Sequence, residues 1–288
     1  MTASTTPPPI EHYENFPVAS WLCPPALRAP IAAIYHFART ADDLADEGTF
    51  DAPTRLRDLA AYRAELLACA AGSPARGGRW PRVFEPLSAQ IARHALPLAP
   101  LQDLLSAFEQ DVRHSAAGAA YADIDALLRY CQRSAAPVGR LLLHLYGVAE
   151  PAALAHSDAI CSALQLINFW QDLSVDIPRG RYYLPLAECA RHSLPTATPD
   201  ALWRAQADPT RLAALVAALA GDARARMHAG QSLARRLPGR AGWELRAVVQ
   251  GGLRTLDKIE ALGARVLHQR PALSRADWPR IAWRALCM

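Results

Sequence analysis

The spacing of apolar residues is the feature that most restricts the fold of this chain of 288 residues. No alternating run of β-branched residues extends beyond a few positions, so the sequence does not support strands. Long segments instead carry apolar residues at helical spacing, and proline or glycine separates them. The sequence therefore predicts an all-α protein with helices at 26–47, 53–71, 81–95, 100–115, 123–146, 151–177, 209–237, 240–268 and 274–286, and a short helix near 185–190.

Length and composition predict one domain. The chain is 51% hydrophobic and 20% charged, which is sufficient for a large core. We expect an extended N-terminal segment at residues 1–14, followed by a single all-α domain at 15–288. The segment 178–208 is the irregular stretch between long helices, and it directly follows an acidic cluster. Such a position is typical of a segment that closes over a site.

Charge and cysteine content argue against several classes of function. The formal net charge is +4 without a basic run, which does not indicate nucleic-acid binding. The six cysteines include no C-x-x-C pair, so they indicate neither a zinc site nor a disulfide framework. The N-terminus lacks the pattern of a secretory signal, and no apolar stretch is long enough to span a bilayer. We therefore expect a cytoplasmic protein.

Two clusters of aspartate end predicted helices about 130 residues apart. Residues 42–47 come just before Gly48, and residues 172–176 come just before Pro178. The helix macrodipole is negative at a C-terminus, so carboxylates are unfavourable there. Two such clusters need a compensating cation, and hard divalent ions with oxygen ligands are the usual answer.

Each cluster completes a stripe of polar side chains along one predicted helix. A helix turns about 100° per residue, so residues three or four positions apart lie on the same face. The first stripe contains Tyr35, Arg39, Asp42 and Asp46. The second stripe contains Gln165, Asn168, Asp172 and Asp176. If the two helices face each other, their ends form a cup of oxygen ligands above an apolar interior. The simpler interpretation is that both stripes are solvated helix faces, and the polar residues within an otherwise apolar second helix argue against it.

Two further segments carry candidate binding residues. Arg179 and Arg181 follow the second cluster and precede an aromatic pair that ends at Tyr183. Arginine, a metal ion and aromatic rings together suit a lipid diphosphate, although the arginines could also simply complement a helix C-terminus. The segment that begins at Tyr130 places Pro137 and small residues within a predicted helix, which indicates a kink and close approach of another group, or plain helix packing.

A di-iron centre is a weaker alternative. Asp111 and His114 have the carboxylate-to-histidine spacing of a di-iron bundle. Such a site needs two of these motifs and glutamate partners, and the sequence contains one motif.

These motifs resemble those of the head-to-head trans-isoprenyl diphosphate synthases, which are the squalene, dehydrosqualene and phytoene synthases. The resemblance spans about residues 13–268 and is carried by the two stripes, by Tyr130-Cys131 with Pro137-Val138-Gly139, and by Gly180-Arg181-x-Tyr183-Leu184-Pro185. It implies an isoprenoid synthase helical bundle with a central apolar cavity.

Within this family the sequence is most similar to the bacterial hydroxysqualene synthase subgroup. The segments that carry this similarity are 14–20, 168–172 and 176–183. Gln171 and Val175 stand where synthases that join two prenyl diphosphates usually carry Arg and Glu, and Tyr13-Glu14-Asn15 replaces a serine-bearing phosphate patch. An enzyme that handles one diphosphate needs fewer such groups.

The resemblance implies an enzyme that uses Mg²⁺ to ionise presqualene diphosphate, after which the cation rearranges and water captures it to give hydroxysqualene and diphosphate. The implied partner is a small-molecule isoprenoid diphosphate rather than a nucleic acid. The implied metal ligands are Asp42, Asp46, Asn168, Asp172 and Asp176. The other implied catalytic residues are Tyr35, Arg39 and Tyr130, and the implied substrate-binding residues are Gln165, Phe169, Arg179, Arg181 and Tyr183.

Two alternative functions stay open. One is another step of the same chemistry, namely synthesis of presqualene diphosphate, squalene or phytoene from two prenyl diphosphates. The other is a non-catalytic helical assembly factor, against which the intact aspartates argue.

The last predicted helix is a candidate for contact with the inner face of the plasma membrane. It sets Trp278, Ile281, Ala282 and Leu286 near one face, with Arg280 and Arg284 on another. A basic amphipathic helix of this kind is typical of a membrane surface, and packing of its apolar face on the bundle is equally compatible.

Overall fold

The computed structural model describes residues 23–72, 78–196 and 207–288. In this part of the chain it contains helices and no strand, so the all-α prediction is confirmed. The α-helices are α1 (Pro25–Asp46), α2 (Ala52–Ala70), α3 (Pro81–His94), α4 (Leu98–Ala117), α5 (Ile124–Ser134), α6 (Ala136–Leu145), α7 (Pro151–Gln171), α8 (Leu173–Asp176), α9 (Leu186–Arg191), α10 (Pro209–Gly230), α11 (Leu233–Arg236), α12 (Gly239–Leu262) and α13 (Trp278–Leu286). Short 3₁₀ helices lie at Ile177–Arg179, Gly263–Leu267 and Arg275–Asp277.

The starts of several helices follow from local chemistry. Asp51, Asp123 and Asp208 precede α2, α5 and α10, and each side chain accepts a hydrogen bond of 2.7–3.0 Å from a backbone N–H three residues later. Such caps satisfy N–H groups that have no partner within the helix. The predicted extended segment 1–14 and residues 197–206 of the predicted irregular stretch lie outside the described residues.

Several predicted helices are divided in the structure. The predicted helix 123–146 is interrupted at Ala135, whose φ of −122° and ψ of −49° depart from helical values. Pro137 lies two residues later and lacks the N–H that a continuous helix would use. The predicted helix 151–177 is interrupted at Asp172, so the second aspartate stripe crosses a break instead of following one straight helix.

The described residues fall into two compact units, one within 1–113 and 140–149 and the other within 114–139 and 150–288. In the first unit, the rings of Phe37, Tyr62 and Phe84 pack at centroid distances of 4.6–6.1 Å. The Tyr62 hydroxyl donates a 3.1 Å hydrogen bond to the carbonyl of Phe37. Aromatic pairs of this kind contribute roughly 0.5–1.5 kcal/mol each beyond the area that they bury. This core supports the helix that carries the first aspartate cluster.

In the second unit, α7 packs against α5, α10 and α12. Gly139 lies especially close to α7. A Cβ at this position would overlap Ser157 Oγ and lie 2.6 Å from Cys161 Sγ. Any larger residue there would require the side chains of Ser157 and Cys161 to move. The sequence-based prediction of a kink and a close contact in this segment is therefore confirmed, and the contact serves helix packing. The prediction of a single domain stays a prediction.

Candidate active site

The first aspartate cluster lies at the end of α1. Arg39 Nη1 is 3.3 Å from Asp42 Oδ2, and Arg39 Nη2 is 2.7 Å from Asp43 Oδ1 and 3.0 Å from Glu47 Oε1. These partners are three, four and eight residues away, so one arginine of the same helix partly offsets the negative charge of three carboxylates. Asp46 is half-buried. The shortest contact belongs to Asp43, which the predicted stripe did not include.

Tyr35 begins the first stripe two turns before this cluster. Its ring is half-buried and lies edge-on to the ring of His36, with centroids 5.6 Å apart. Arg39 lies one turn closer to the cluster, and its side chain is 29% exposed. Ion pairs of this exposure are each worth about 1 kcal/mol or less. The residues of the stripe therefore share a face mainly because α1 is helical, and the ion pairs add little.

The second cluster lies where α7 gives way to α8. Asp172 is the residue between the two helices, and Asp176 is the buried last residue of α8. Arg270 Nε contacts Asp172 Oδ1, and Arg270 Nη2 is 3.4 Å from Asp172 Oδ2. Sequence reasoning missed Arg270, because it lies 98 residues from Asp172 and belongs to no motif. Only the packing of the chain brings it to the cluster.

A tight turn after α8 brings one of the two predicted arginines back to the cluster. Gly180 has φ +74°, a left-handed conformation that favours glycine. The N–H of the next residue, Arg181, donates a 3.0 Å hydrogen bond to the carbonyl of Asp176, and its Nη1 lies 3.9 Å from Asp176 Oδ1. Arg179 is exposed. The structure thus places Arg181, and not Arg179, against an aspartate.

Aromatic rings lie together in the same unit as the second cluster. Phe169 and Tyr183 stack with centroids 3.9 Å apart, and Tyr130 lies 6.1 Å from Phe169 and 6.4 Å from Tyr183. These three rings were predicted from the sequence. Tyr121 was not, and it lies 5.7 Å from Tyr130 and stacks on Tyr183 at 6.1 Å. No motif marks Tyr121, because the backbone pairing of 120–122 with 182–187 brings it there.

The remaining polar residues of the second stripe line α7. Gln165 and Asn168 are both half-buried. Burial raises the pKa of the nearby thiols, to about 12 for Cys131 and about 11 for Cys161. Both thiols therefore stay protonated at neutral pH and behave as small apolar groups rather than as nucleophiles.

The chemistry of the donor set fits a hard divalent cation. The second cluster supplies carboxylate and amide oxygens on successive turns, which are ligands that Mg²⁺ accepts. In the part of the chain that the structure describes, no group of three or more His, Cys, Asp and Glu side chains is arranged to hold a metal ion by itself. Mg²⁺ usually binds through one or two carboxylates and substrate phosphates and keeps several waters, so an all-protein cage is not needed.

The family model for squalene/phytoene synthase matches residues 11–277. Similar curated proteins include hydroxysqualene synthases from Rhodopseudomonas palustris, 40% identical over 60% of this chain and 55% of the relative, and from Sinorhizobium fredii, 36% identical with the same coverage. A presqualene diphosphate synthase from Rhodopseudomonas palustris is 29% identical over 64% of each chain. The chain spans about half the length of the hydroxysqualene synthases that it matches.

Solved structures show the same fold. A squalene synthase HpnC from Alicyclobacillus acidocaldarius matches with a TM-score of 0.76 and 34% identity, over 88% of this chain and 90% of that one. A dehydrosqualene synthase in complex with ligand also matches with a TM-score of 0.76, at 22% identity over 93% of this chain and 89% of that one. The predicted isoprenoid synthase helical fold is thereby confirmed. The predicted central cavity and the predicted cup of oxygen ligands stay predictions.

Proposed function

Because the chain belongs to the squalene/phytoene synthase family, we propose that it is a hydroxysqualene synthase. In this reaction the C–O bond of presqualene diphosphate breaks, and diphosphate leaves with the electron pair. The cyclopropylcarbinyl cation rearranges, water adds to it, and a proton is lost. The products are hydroxysqualene and diphosphate, and no reductant is consumed.

The observation that carries this proposal is the combination of acidic, basic and aromatic groups at the second cluster. Asp172 and Asp176 each have an arginine partner, Arg270 and Arg181. The stack that contains Phe169 begins only three residues before Asp172. Carboxylates suit a divalent cation, guanidinium groups suit phosphate oxygens, and aromatic faces stabilise carbocations. A lipid diphosphate that ionises needs all three.

We propose the following metal ligands: Asp42 and Asp46 at the first cluster, and Asn168, Asp172 and Asp176 at the second. Mg²⁺ bound there supplies Lewis-acid assistance to departure of the diphosphate. Arg39, Arg179 and Arg181 hold the departing diphosphate, as guanidinium groups bind phosphate oxygens in a bidentate manner.

The proposed aromatic residues act after the leaving group departs. Tyr35, Tyr130, Phe169 and Tyr183 shield the cation with their π-faces, and Gln165 contributes a polar contact to the substrate. We add Tyr121 to this group, because its ring stacks on Tyr183. No serine, cysteine or histidine nucleophile is required, which agrees with the raised pKa of Cys131 and Cys161.

A second candidate is a step that joins two prenyl diphosphates. Relatives that are 29–33% identical are named presqualene diphosphate synthase and phytoene synthase. Gln171 argues against this candidate, because synthases that join two prenyl diphosphates usually carry an arginine at that position.

Product analysis by mass spectrometry tests the proposal. Purified protein with Mg²⁺ is offered farnesyl diphosphate and presqualene diphosphate separately. We expect hydroxysqualene and free diphosphate from presqualene diphosphate, and no product from farnesyl diphosphate. A C30 or larger product from two prenyl diphosphates alone would favour the second candidate. Absence of diphosphate release from every substrate would favour the assembly factor.

We also propose that α13 contacts a membrane surface. Its inner face buries Ile281 and Ala285, while Trp283 is 68% exposed, Leu286 62% and Trp278 49%. Ile281 thus packs inward on the protein, whereas Trp278 and Leu286, with which the sequence analysis grouped it, are exposed. Exposed tryptophan and leucine beside the exposed Arg280 suit the headgroup region of an anionic bilayer. No described helix is long and apolar enough to span a membrane.

Liposome flotation tests this contact. Trp278→Ser and Trp283→Ser together should reduce binding to anionic vesicles at low salt, because the inserted apolar area is lost. Trp243→Ser is the matched control, since Trp243 is also exposed but lies on α12 with Arg246 over its ring. Equal binding by both variants would exclude α13 as the contact. These substitutions are more specific than truncation of the C-terminal segment, which would also remove the buried Asp277.

A further inference from the structure

Gln171 is a buried polar residue at the edge of the proposed metal site. It is the last residue of α7, directly precedes Asp172, and is 1% exposed. Its side-chain Nε2 donates a 2.7 Å hydrogen bond to the backbone carbonyl of Pro271. The carbonyl belongs to a segment 100 residues further along the chain. The amide thus ties the end of α7 to that segment rather than facing solvent.

The residue before Pro271 is the arginine that contacts the proposed metal ligand. The guanidinium of Arg270 meets both carboxylate oxygens of Asp172. Two neighbouring residues at the end of α7 therefore hold two neighbouring residues of the later segment: Gln171 holds the backbone of Pro271, and Asp172, which follows α7, holds the side chain of Arg270. Pro271 is itself buried, and the residue before a proline has few backbone conformations. Anchoring Pro271 therefore restricts where Arg270 can go.

The start of this segment is anchored as well. The N–H groups of His268 and Gln269 both donate 2.9 Å hydrogen bonds to the carbonyl of Arg265. The 3₁₀ helix Gly263–Leu267, which precedes it, packs against α8. The short segment that carries Arg270 is therefore anchored both before and after this residue. Gln171 provides the anchor after it, at Pro271.

We propose that Gln171 is a positioning residue that keeps Arg270 on Asp172, so that a divalent cation has to displace the guanidinium before it can use this carboxylate. The proposal rests on the proposed function, because it takes Asp172 as a metal ligand. A guanidinium and a metal ion need the same carboxylate lone pairs, so each weakens the binding of the other. The metal then binds poorly by itself and better together with a diphosphate, which offers Arg270 another bidentate partner.

Isothermal titration of Mg²⁺, with and without inorganic pyrophosphate, tests this on the purified full chain. Gln171→Met removes the amide donor while keeping an unbranched side chain of similar length. We expect it to tighten binding of Mg²⁺ alone by about twofold to fivefold, the range for loss of a partly exposed ion pair, and to reduce the gain that pyrophosphate provides. Arg270→Gln should have the same effect.

The double variant and a matched control make the test specific. If Gln171 acts through Arg270, the double variant Gln171→Met with Arg270→Gln should bind Mg²⁺ no more tightly than either single variant. Gln250→Met is the control, because Gln250 is also a buried amide of this unit but contacts Met288. It should leave Mg²⁺ affinity unchanged. Gln171→Asn, which is too short to reach Pro271, is the second variant if Gln171→Met does not fold.

The outcomes separate the two proposals. Equal, non-additive tightening in the Gln171 and Arg270 variants supports the positioning role. Unchanged Mg²⁺ affinity in the folded Gln171 variants, or additive effects in the double variant, overturns it while leaving the proposed function intact. A wild-type protein that binds no Mg²⁺ even with pyrophosphate overturns the proposed function, and the positioning role with it.

Discussion

The two aspartate clusters solve the same electrostatic problem in different ways. Each places carboxylates at a helix end where the macrodipole is unfavourable. At the first cluster the compensating cation is Arg39 of the same helix, within eight residues of all its partners. At the second cluster, Asp172 is compensated by Arg270, which lies 98 residues away. A local solution depends on helix geometry alone, whereas the distant one depends on the whole unit being folded.

The two clusters also differ in exposure. The side chain of Asp42 is 37% exposed, whereas that of Asp172 is 17% exposed. Charges in a drier environment interact more strongly and are screened less by salt. The Asp172 carboxylate should therefore be the more demanding one to free for a metal ion, while its partner Arg270 is 40% exposed, compared with 29% for Arg39. Three predictions test this comparison.

The largest effect is expected on turnover. Asp42→Asn and Asp172→Asn each replace a charged oxygen ligand with a neutral amide, and each should lower the rate of diphosphate release from presqualene diphosphate by about 10²- to 10³-fold. A continuous assay of released diphosphate measures this. Asp125→Asn, at an exposed aspartate in the first turn of α5, is the control. If only one of the two variants loses activity, the clusters do not share the catalytic role.

The next prediction concerns the free energy of unfolding and an aspartate that we expect to stabilise the fold. Asp277 is buried and accepts hydrogen bonds of 2.6–2.8 Å from Lys258, Ser274 and Arg254. Burial raises its pKa, but these hydrogen bonds outweigh burial and hold the pKa well below the ordinary value of 3.8. We expect Asp277→Asn to lower the free energy of unfolding at pH 7 by about 2–3 kcal/mol, because the half-buried donors Arg254 and Lys258 lose a buried charged partner.

Urea unfolding at two pH values checks the direction in which this contribution to stability changes with pH. A carboxyl group whose pKa is lower in the folded state stabilises the protein above its ordinary pKa, and this contribution is lost as the pH falls through the folded-state value. The difference between wild type and Asp277→Asn should therefore be full at pH 7 and should narrow below pH 3.8. A difference that grows on acidification would refute the assignment.

The smallest effect separates the clusters directly. Without Mg²⁺, Asp42→Asn should leave the free energy of unfolding unchanged within about 0.5 kcal/mol, since Arg39 keeps Asp43 and Glu47. Asp172→Asn should lower it by roughly 0.5–1 kcal/mol, because Arg270 loses its charged partner. Thermal melting in metal-free buffer provides the comparison. Equal values for the two variants would mean that the distant pair contributes no more than the local one.

The positions of α1, α2 and α3 agree with the predicted helices to within a few residues. Apolar periodicity, proline and capping aspartates are local signals, and these helices obey them. A kink was predicted for the segment that contains Ala135, whereas the break at Asp172 was not predicted. The first has Pro137 beside it as a signal. The second has no local signal, because the N–H of Asp172 still bonds Asn168 and the chain bends only afterwards.

Local sequence signals account for most of the helices, for the family and for the contacts of Arg39 within α1, because partners three or four residues apart meet on any helix that forms. Long-range packing is what brings Arg270 to Asp172, Gln171 to Pro271, and Tyr121 to the aromatic stack. These contacts join segments about 60 to 100 residues apart. Their formation depends on how α7 packs among its neighbours, and no spacing within a single helix can encode it.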